Sequence, residues 1–450
     1  MILHEPPIAA LATPPGASAL AVIRVSGSGC LDMLEPLVIS RPALADRPGG
    51  TQSWAKLAED GGWIDDVMLS VHRAPRSYTG EDTVEISCHG NPTIVSRILS
   101  ALFRAGIQLA QPGEFTRRAW MNGKMDLTQA EAVMDLIQAG SDLALRSAQQ
   151  QLAGGWRQRF EEVHQRLLEI IAEVEAAIDF PEEGIEPEGA AALIQRCIAL
   201  TQQLSDYLSS AERGRTLREG LRIALVGAPN AGKSSLLNIL LERERALVSP
   251  IPGTTRDYLE EQFSLEGLPV RLVDTAGLRD GAEAVEQAGM AMTQEIMASA
   301  DFILCVYDGS QPPPATLLPR PADRSLLVLN KIDLPVHPDW TAQPGLVRIS
   351  CQSGAGLKEL RQTIKEQVWD LPSHLAAEEQ LLAVNARHAA SLALAKDALE
   401  QAAQGLKTDL EPELVAVELR SALAQLEHIV GLTDPDAVLD LIFSKFCLGK

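Results

Sequence analysis

Hydrophobic and polar positions change rhythm along this chain. Through residues 1–118 short runs stay apolar or alternate, as in Leu20-Ala-Val-Ile-Arg-Val25 and Thr83-Val-Glu-Ile-Ser87, which predicts strands. Pro92 to Ala105 places Ile94, Ile98, Leu99 and Leu102 on one helical stripe, with Gly106 as its stop. This zone reads as α+β. From 119 to 219 the spacing is helical: Leu127 to Leu152, Arg157 to Ile178 and Ala191 to Ala211 predict long helices, the second broken by Ile178-Asp-Phe-Pro-Glu-Glu-Gly184. The same character returns over 374–450, in Ala386 to Gln404, Pro412 to Val430 and Asp436 to Phe446. Between these helical stretches, from Leu221 to Leu371, short apolar strands alternate with helices, the pattern of a parallel α/β sheet. The simplest arrangement is a helical domain (119–219 and 374–450) interrupted by an α/β domain (220–373) and preceded by the α+β domain (1–118). Insertion is favoured because domain termini usually lie close together; two separate helical domains are the alternative.

Composition narrows the function classes. With 46% hydrophobic residues the chain has enough apolar material for several cores, which excludes disorder as its main state. Its 39 Lys+Arg against 60 Asp+Glu, a net charge of -21, argues against gripping nucleic acid through bulk positive charge. Cys30, Cys88, Cys197, Cys305, Cys351 and Cys447 are scattered without a C-x-x-C pair, so a disulfide scaffold or zinc ribbon is not expected and a reducing compartment fits. The opening residues lack a basic n-region, and four prolines interrupt the uncharged stretch before Arg24, so neither a signal peptide nor a membrane helix is expected. The expected location is cytoplasmic, with no membrane partner.

The densest chemistry lies in the α/β segment. Gly227-Ala-Pro-Asn-Ala-Gly-Lys-Ser234 fits G-x-x-x-x-G-K-[ST] between the strand run Leu221–Val226 and a helix opening at Ser235. There glycines let backbone N–H groups turn toward phosphate oxygens, Lys233 reaches the β- and γ-phosphates, and Ser234 can ligate Mg²⁺. Asp274-Thr275-Ala276-Gly277 follows a strand; Asp274 can hold Mg²⁺ through water and the Gly277 N–H can sense the γ-phosphate. Asn330-Lys331-Ile-Asp333 ends the strand run Ser325–Leu329, where Asp333 can accept from guanine N1–H and the 2-amino group. Adenine offers neither donor, so an adenine would leave that carboxylate unpaired, a strong selector. Ser350-Cys351-Gln352 follows another strand, where a loop N–H can meet guanine O6. Four elements in this order predict GTP and GDP with Mg²⁺. Ser249-Pro-Ile-Pro-Gly-Thr-Thr-Arg-Asp257 suits a switch with Thr254 and Thr255 closing over the γ-phosphate; a plain Pro/Gly turn is the other reading. Tyr258–Leu265 and Pro269–Val273 flank Glu266-Gly267 as a hairpin, giving a small-GTPase-like sheet with one antiparallel pair.

Many GTPases place Gln after D-x-x-G, but Leu278 stands there and cannot orient a water. Glu286 is a candidate through a second water, although its spacing alone suits a solvated helix residue. Asn230 can coordinate a monovalent cation beside Lys233, and Arg256 is the other candidate for that positive charge.

The whole chain resembles the tRNA modification GTPase MnmE (TrmE) family. The likeness is carried by Ala12-Thr-Pro-Pro-Gly16, Ile23-Arg-Val-Ser-Gly27, Tyr78-Thr-Gly-Glu-Asp82, Cys88-His-Gly90, Gln111-Pro-Gly-Glu-Phe115, Met125-Asp-Leu-Thr-Gln-Ala-Glu131, Ala176-Ala-Ile-Asp-Phe-Pro-Glu-Glu183 and Phe446-Cys-Leu-Gly-Lys450. The resemblance implies an N-terminal folate-binding-like domain, a helical domain and an inserted Ras-like P-loop GTPase domain. It implies a K⁺-activated GTPase that forms a homodimer and works with the FAD-containing partner MnmG (GidA), adding a carboxymethylaminomethyl-type group to carbon 5 of the tRNA wobble uridine. By resemblance, K⁺ is held by Asn230, Ser249, Ile251 and Thr254, in the place of an arginine finger, and Mg²⁺ by Ser234 and Thr255. Glu286, Lys233 and Asn230 become the catalytic set. GTP contacts extend over Asn230, Ala231, Gly232, Lys233, Ser234 and Ser235, through Ser249, Pro250, Ile251, Pro252, Gly253, Thr254 and Thr255, then Asp274, Thr275, Ala276 and Gly277, and finally Asn330, Lys331, Asp333, Ser350, Cys351 and Gln352. A folate one-carbon donor, of the 5-formyl-tetrahydrofolate kind, is implied at Arg24, Glu85, Lys124 and Lys450, each of which reads from sequence alone as a surface charge. FAD belongs only to the partner. Cys447 matches the family's C-terminal cysteine, a candidate functional thiol. The family's Ser-Ala is Ser350-Cys351 here, its Cys-Ile-Gly-Lys is Cys-Leu-Gly-Lys, and Pro250 and Pro252 stiffen the switch loop. A ribosome-assembly GTPase of the same K⁺-dependent superfamily is the alternative. A scaffold that binds GTP without turnover is a third reading, for which Glu286→Ala would change nothing.

Overall fold

In the computed structural model the described residues are 5–40, 42–59, 61–179, 187–242, 260–265, 268–274, 296–314, 324–343, 345–368, 384–408, 410–431, 439, 442–444, 446 and 449. The chain divides into two compact units, one of Met1–Met134, Arg157–His164 and Leu423–Lys450, the other of Asp135–Trp156 and Gln165–Ala422.

The first unit is built on a seven-stranded sheet in the order β3-β4-β5-β6-β2-β1-β7. Its strands are β1 (Ile8–Leu11), β2 (Leu20–Ser26), β3 (Val38–Ile39), β4 (Thr51–Glu59), β5 (Gly62–His72), β6 (Thr83–His89) and β7 (Gln108–Leu109). Both strands expected from sequence are present, and the long β4–β5 hairpin adds to them. Alternation buries Ile23, Val25, Leu69, Val71, Val84 and Ile86 on one face, beneath Leu31 and Leu34 of α1 (Cys30–Leu34) and Ile98 and Leu102 of α2 (Pro92–Arg104). Helix α2 begins where Asn91 accepts from the Thr93 N–H at 2.8 Å with Pro92 in its first turn, and ends one residue short of the expected Ala105. Around β1, Ile8 and Ala10 pack with Ala110, with Tyr78, and with Phe115 of α3 (Glu114–Met121). Gly449 lies against this strand: a Cβ there would clash with the Leu11 carbonyl oxygen.

The predicted helix Leu127–Leu152 is two helices, α4 (Leu127–Gln138) and α5 (Asp142–Leu152). Ser141 caps the second by accepting from the Ala144 N–H at 3.2 Å, a stop-and-restart that the Gly140-Ser141 pair encodes. Helix α6 (Gly155–Asp179) follows. Helix α7 (Pro187–Ser209) starts earlier than expected, and α8 (Ala211–Glu219) leads into the second sheet.

That sheet has six strands in the order β13-β12-β11-β8-β10-β9. They are β8 (Leu221–Val226), β9 (Glu260–Leu265), β10 (Leu268–Asp274), β11 (Phe302–Asp308), β12 (Ser325–Asn330) and β13 (Leu346–Arg348). β9 pairs antiparallel with β10 and every other pairing is parallel. β12 is buried from Ser325 to Asn330, as expected for a parallel strand covered on both faces. One face packs Leu236 and Leu240 of α9 (Lys233–Glu242) and Leu360 and Ile364 of α10 (Leu357–Val368). The other packs Ile296, Ala300 and Trp340 against Cys305 and Tyr307. Helices α11 (Ala386–Lys407) and α12 (Pro412–Val430) follow the α/β segment, and α11 lies along α7, so helices from before and after that segment pack together. Most of the expected helix Asp436–Phe446 lies outside the described residues. Among the described residues no helix is long and apolar enough to cross a membrane.

Candidate nucleotide-binding site

The C-terminal ends of β8, β12 and β13 carry the described motif turns, as expected for a ligand crevice in an open parallel sheet. The loop Gly227–Gly232 joins β8 to α9. A Cβ on Gly227 would meet the Val306 carbonyl oxygen at 2.2 Å, and one on Gly232 (φ 97°) would meet the Asn330 side-chain nitrogen at 2.1 Å. Only glycine fits at either position. Lys233 is buried, and its Nζ donates to the carbonyl oxygens of Gly227 at 3.0 Å and Ala228 at 2.9 Å, so the loop is wrapped around its own lysine. Asn230 holds a left-handed backbone (φ 62°) and is exposed, as are Ser234 and Ser235. These hydroxyl and amide oxygens are hard donors that suit Mg²⁺ and a monovalent cation.

Asn330 ties this loop to the guanine-side turns. It is 1% exposed; its Nδ2 donates to the Ala231 carbonyl at 3.0 Å and its Oδ1 accepts from the Cys351 N–H at 3.1 Å. Asp333 is oriented by Ser350, whose buried hydroxyl donates to Oδ1 at 2.5 Å and accepts from the Ser353 N–H at 3.0 Å. Burial pushes the Cys351 thiol up; the Asn330 hydrogen bond opposes that and the nearby Asp333 carboxylate adds to it. Sequence reasoning had placed Ser350 in the loop for its backbone and had missed the hydroxyl that aims Asp333.

The described structure therefore brings Asn230, Ala231, Gly232, Lys233, Ser234, Ser235, Asn330, Lys331, Asp333, Ser350, Cys351 and Gln352 to one end of one sheet. Asp274 closes β10, opposite Leu225 of β8. Ser249, Pro250, Ile251, Pro252, Gly253, Thr254, Thr255, Arg256, Thr275, Ala276, Gly277, Leu278 and Glu286 lie outside the described residues, as do Cys447 and Lys450.

Residues 127–447 match the family model described as MnmE helical domain, and residues 7–124 match that described as GTP-binding protein TrmE N-terminus. The chain is 47% identical over 452 residues to the tRNA modification GTPase MnmE of Akkermansia muciniphila, covering 99% of both chains. It belongs to the MnmE family of tRNA modification GTPases. The MnmE of Opitutus terrae is 42% identical over 458 residues, with 99% of each chain covered. That of Moorella thermoacetica is 41% identical over 462 residues, covering 98% of this chain and 99% of its own.

The MnmE-type N-terminal unit holds the second group of candidates. Arg24 and Glu85 stand directly opposite each other on β2 and β6, and Arg24 Nη2 meets Glu85 Oε1 at 2.8 Å. The guanidinium lies over the Tyr78 ring at 5.2 Å and the Phe115 ring at 5.7 Å. With 13% of its side chain exposed, Arg24 is not the surface charge that sequence alone suggested. Among the described residues its buried Nη1 has no hydrogen-bond partner, a donor that suits an acidic or carbonyl ligand. Burial pushes the Tyr78 hydroxyl pKa up, against its Thr116 hydrogen bond and the Arg24 charge. Lys124 Nζ donates to the Pro75 carbonyl at 2.9 Å. Tyr78 and Phe115 lie within motifs that carried the family likeness, but their places around Arg24 were not foreseen.

Proposed function

We propose that this chain is a K⁺-activated GTPase that hydrolyses GTP to GDP and phosphate. We propose further that, with an FAD-dependent partner, it installs a carboxymethylaminomethyl-type group at carbon 5 of the tRNA wobble uridine. Family membership supports the GTPase and tRNA roles in outline. The observation that carries the guanine assignment is the Asn330 bridge, which links the phosphate loop at Ala231 to the guanine-side loop at Cys351 while Ser350 aims Asp333.

Asp333 would accept from guanine N1–H and the 2-amino group, and the Cys351-Gln352 backbone would meet O6. Lys233 would exchange its two loop carbonyls for β- and γ-phosphate oxygens, and Glu286 would orient the attacking water through a second water. Bound Mg²⁺ at Ser234 and Thr255, and K⁺ at Asn230, Ser249, Ile251 and Thr254, would supply positive charge to the phosphate oxygens. In the N-terminal unit, Arg24 with its buried Nη1, Glu85, Lys124 and Lys450 would bind the folate one-carbon donor, the cations holding its acidic tail and the carboxylate its pterin donors. We propose homodimerisation and a cytoplasmic location on the family resemblance. The acidic balance of the chain suits a division in which the partner carries most of the tRNA-binding surface.

The test is nucleoside mass spectrometry of tRNA from cells lacking this chain, rescued with wild type or with Glu286→Ala. The expected result is a missing wobble-uridine modification restored by wild type alone. An unchanged nucleoside profile would remove the tRNA role and favour ribosome assembly.

A further inference from the structure

Asp308, the last residue of β11, stands beside Asn330 in the parallel register, one strand in from the guanine turn. Its carboxylate is fully engaged. Oδ2 accepts from Lys331 Nζ at 2.6 Å, and Oδ1 accepts from the Ser310 N–H at 3.0 Å and hydroxyl at 2.6 Å. Burial opposes its ionisation, yet the hydrogen bonds from Lys331 and Ser310 and the Lys331 charge hold this carboxyl below its ordinary value. Lys331 itself has a left-handed backbone (φ 65°), a conformation lysine rarely adopts. The backbone around it is pinned: the Gly309 N–H donates to the Asn330 carbonyl at 2.8 Å, and Ile332 N–H to the Ile349 carbonyl at 3.2 Å. Within one four-residue turn, then, Asn330 faces the phosphate loop, Asp333 faces Ser350, and Lys331 is drawn back onto the neighbouring strand.

We infer that Asp308 is a positioning residue for guanine nucleotides, holding Lys331 so that its methylene stem forms a fixed wall of the base site. The inference rests on the guanine assignment proposed above. A lysine stem is an apolar surface with a polar end, and tethering the ammonium to a rigid strand fixes the stem before the ligand arrives. A free lysine would be ordered at the expense of binding, which on the usual cost of immobilising one long side chain weakens affinity by about two- to tenfold. The effect falls equally on GDP and GTP, because both present the same base.

The experiment is a double-mutant cycle in the full-length chain, with Asp308→Asn, Lys331→Met and the double variant, reading GDP and GTP dissociation constants and steady-state kinetics. Asp308→Asn is expected to weaken both nucleotides alike by about two- to tenfold, with the loss in KM and not in kcat. Asp308→Glu should restore part of the affinity. In the Lys331→Met background Asp308→Asn should cost nothing more. A double variant as weak as the product of the two single losses, or Asp308→Asn binding like wild type, would overturn the inference. Failure of the underlying reading is told apart by Asp333→Asn: unchanged GDP affinity there removes the guanine site itself, whereas a large loss there with an additive Asp308/Lys331 cycle removes only the tether.

Discussion

Replacing Asn330 with Ala tests whether the phosphate loop and the guanine turn are set as one unit. The substitution deletes two buried hydrogen bonds, to the Ala231 carbonyl at 3.0 Å and from the Cys351 N–H at 3.1 Å. At about 1 kcal/mol net for each bond the loss is about 2 kcal/mol. It approaches about 4 kcal/mol if both backbone groups are left without partners, since each orphan costs about 1–3 kcal/mol. Ala231 is 1% exposed, so water reaches its carbonyl poorly and the upper part of this range applies on that side. The half-buried Cys351 N–H is better placed to find water. Expressed in binding, the lower figure is about a thirtyfold loss of GDP affinity. Asn330→Asp separates the two ends, because it keeps an acceptor for Cys351 and puts a carboxylate where the Ala231 carbonyl needs a donor. The assay is GDP titration by fluorescence, paired with urea unfolding of the nucleotide-free chain. Both variants should lose affinity, Asp more than Ala. An Ala variant that binds GDP within about twofold of wild type, at unchanged stability, would refute the reasoning.

Three further outcomes follow from the same geometry. Asp333→Asn should weaken GDP by about 10- to 100-fold, as expected for losing charge-assisted hydrogen bonds, and should gain xanthosine diphosphate, whose 2-oxo group suits the new amide donor; competition binding decides it, and unchanged GDP affinity would refute the assignment. Asn230→Ala should erase the difference in GTP turnover between K⁺ and Na⁺, and persistent K⁺ stimulation would count against that ligand. Burial, with Asp82 and Glu81 adding to it against Arg73 and the Leu31 backbone, pushes the Cys30 thiol from 9.0 to about 12. The fold therefore favours the neutral thiol, and its contribution is complete below pH 9, where the unfolded thiol is also neutral, and is lost as pH rises toward 12. At pH 10 this amounts to roughly 1 kcal/mol, so urea unfolding of Cys30→Ala should lose that much less than wild type between pH 8 and pH 10; an equal loss would refute it.

What the sequence disclosed and what it hid divide by distance along the chain. The strand before Gly227 and the helix after Lys233 follow from apolar runs and a phosphate-loop spacing, all local signals. The break between α4 and α5 was also local, yet it was missed because alanine and leucine continue on both sides and the Gly140-Ser141 pair is short. The tie from Asn330 to Ala231 could not be read at all: the strands that lead to these residues, β12 and β8, are not even neighbours, since β11 lies between them. Only the strand order brings the ends of β8 and β12 within reach. The same holds for Arg24, whose burial comes from Glu85 across the sheet and from Tyr78 and Phe115 elsewhere in the unit. A charged residue in an alternating strand looks solvated until the elements that cover it are known. One polar residue did announce itself, because Asn330 follows the buried apolar run Leu326–Leu329 of its strand. A buried amide costs stability unless its donor and acceptor are both used, so a polar group at such a position implies two partners before either is identified. By that logic the residue type supplied the number of bonds, and the parallel sheet supplied the phosphate-loop carbonyl and the guanine-loop N–H that complete them.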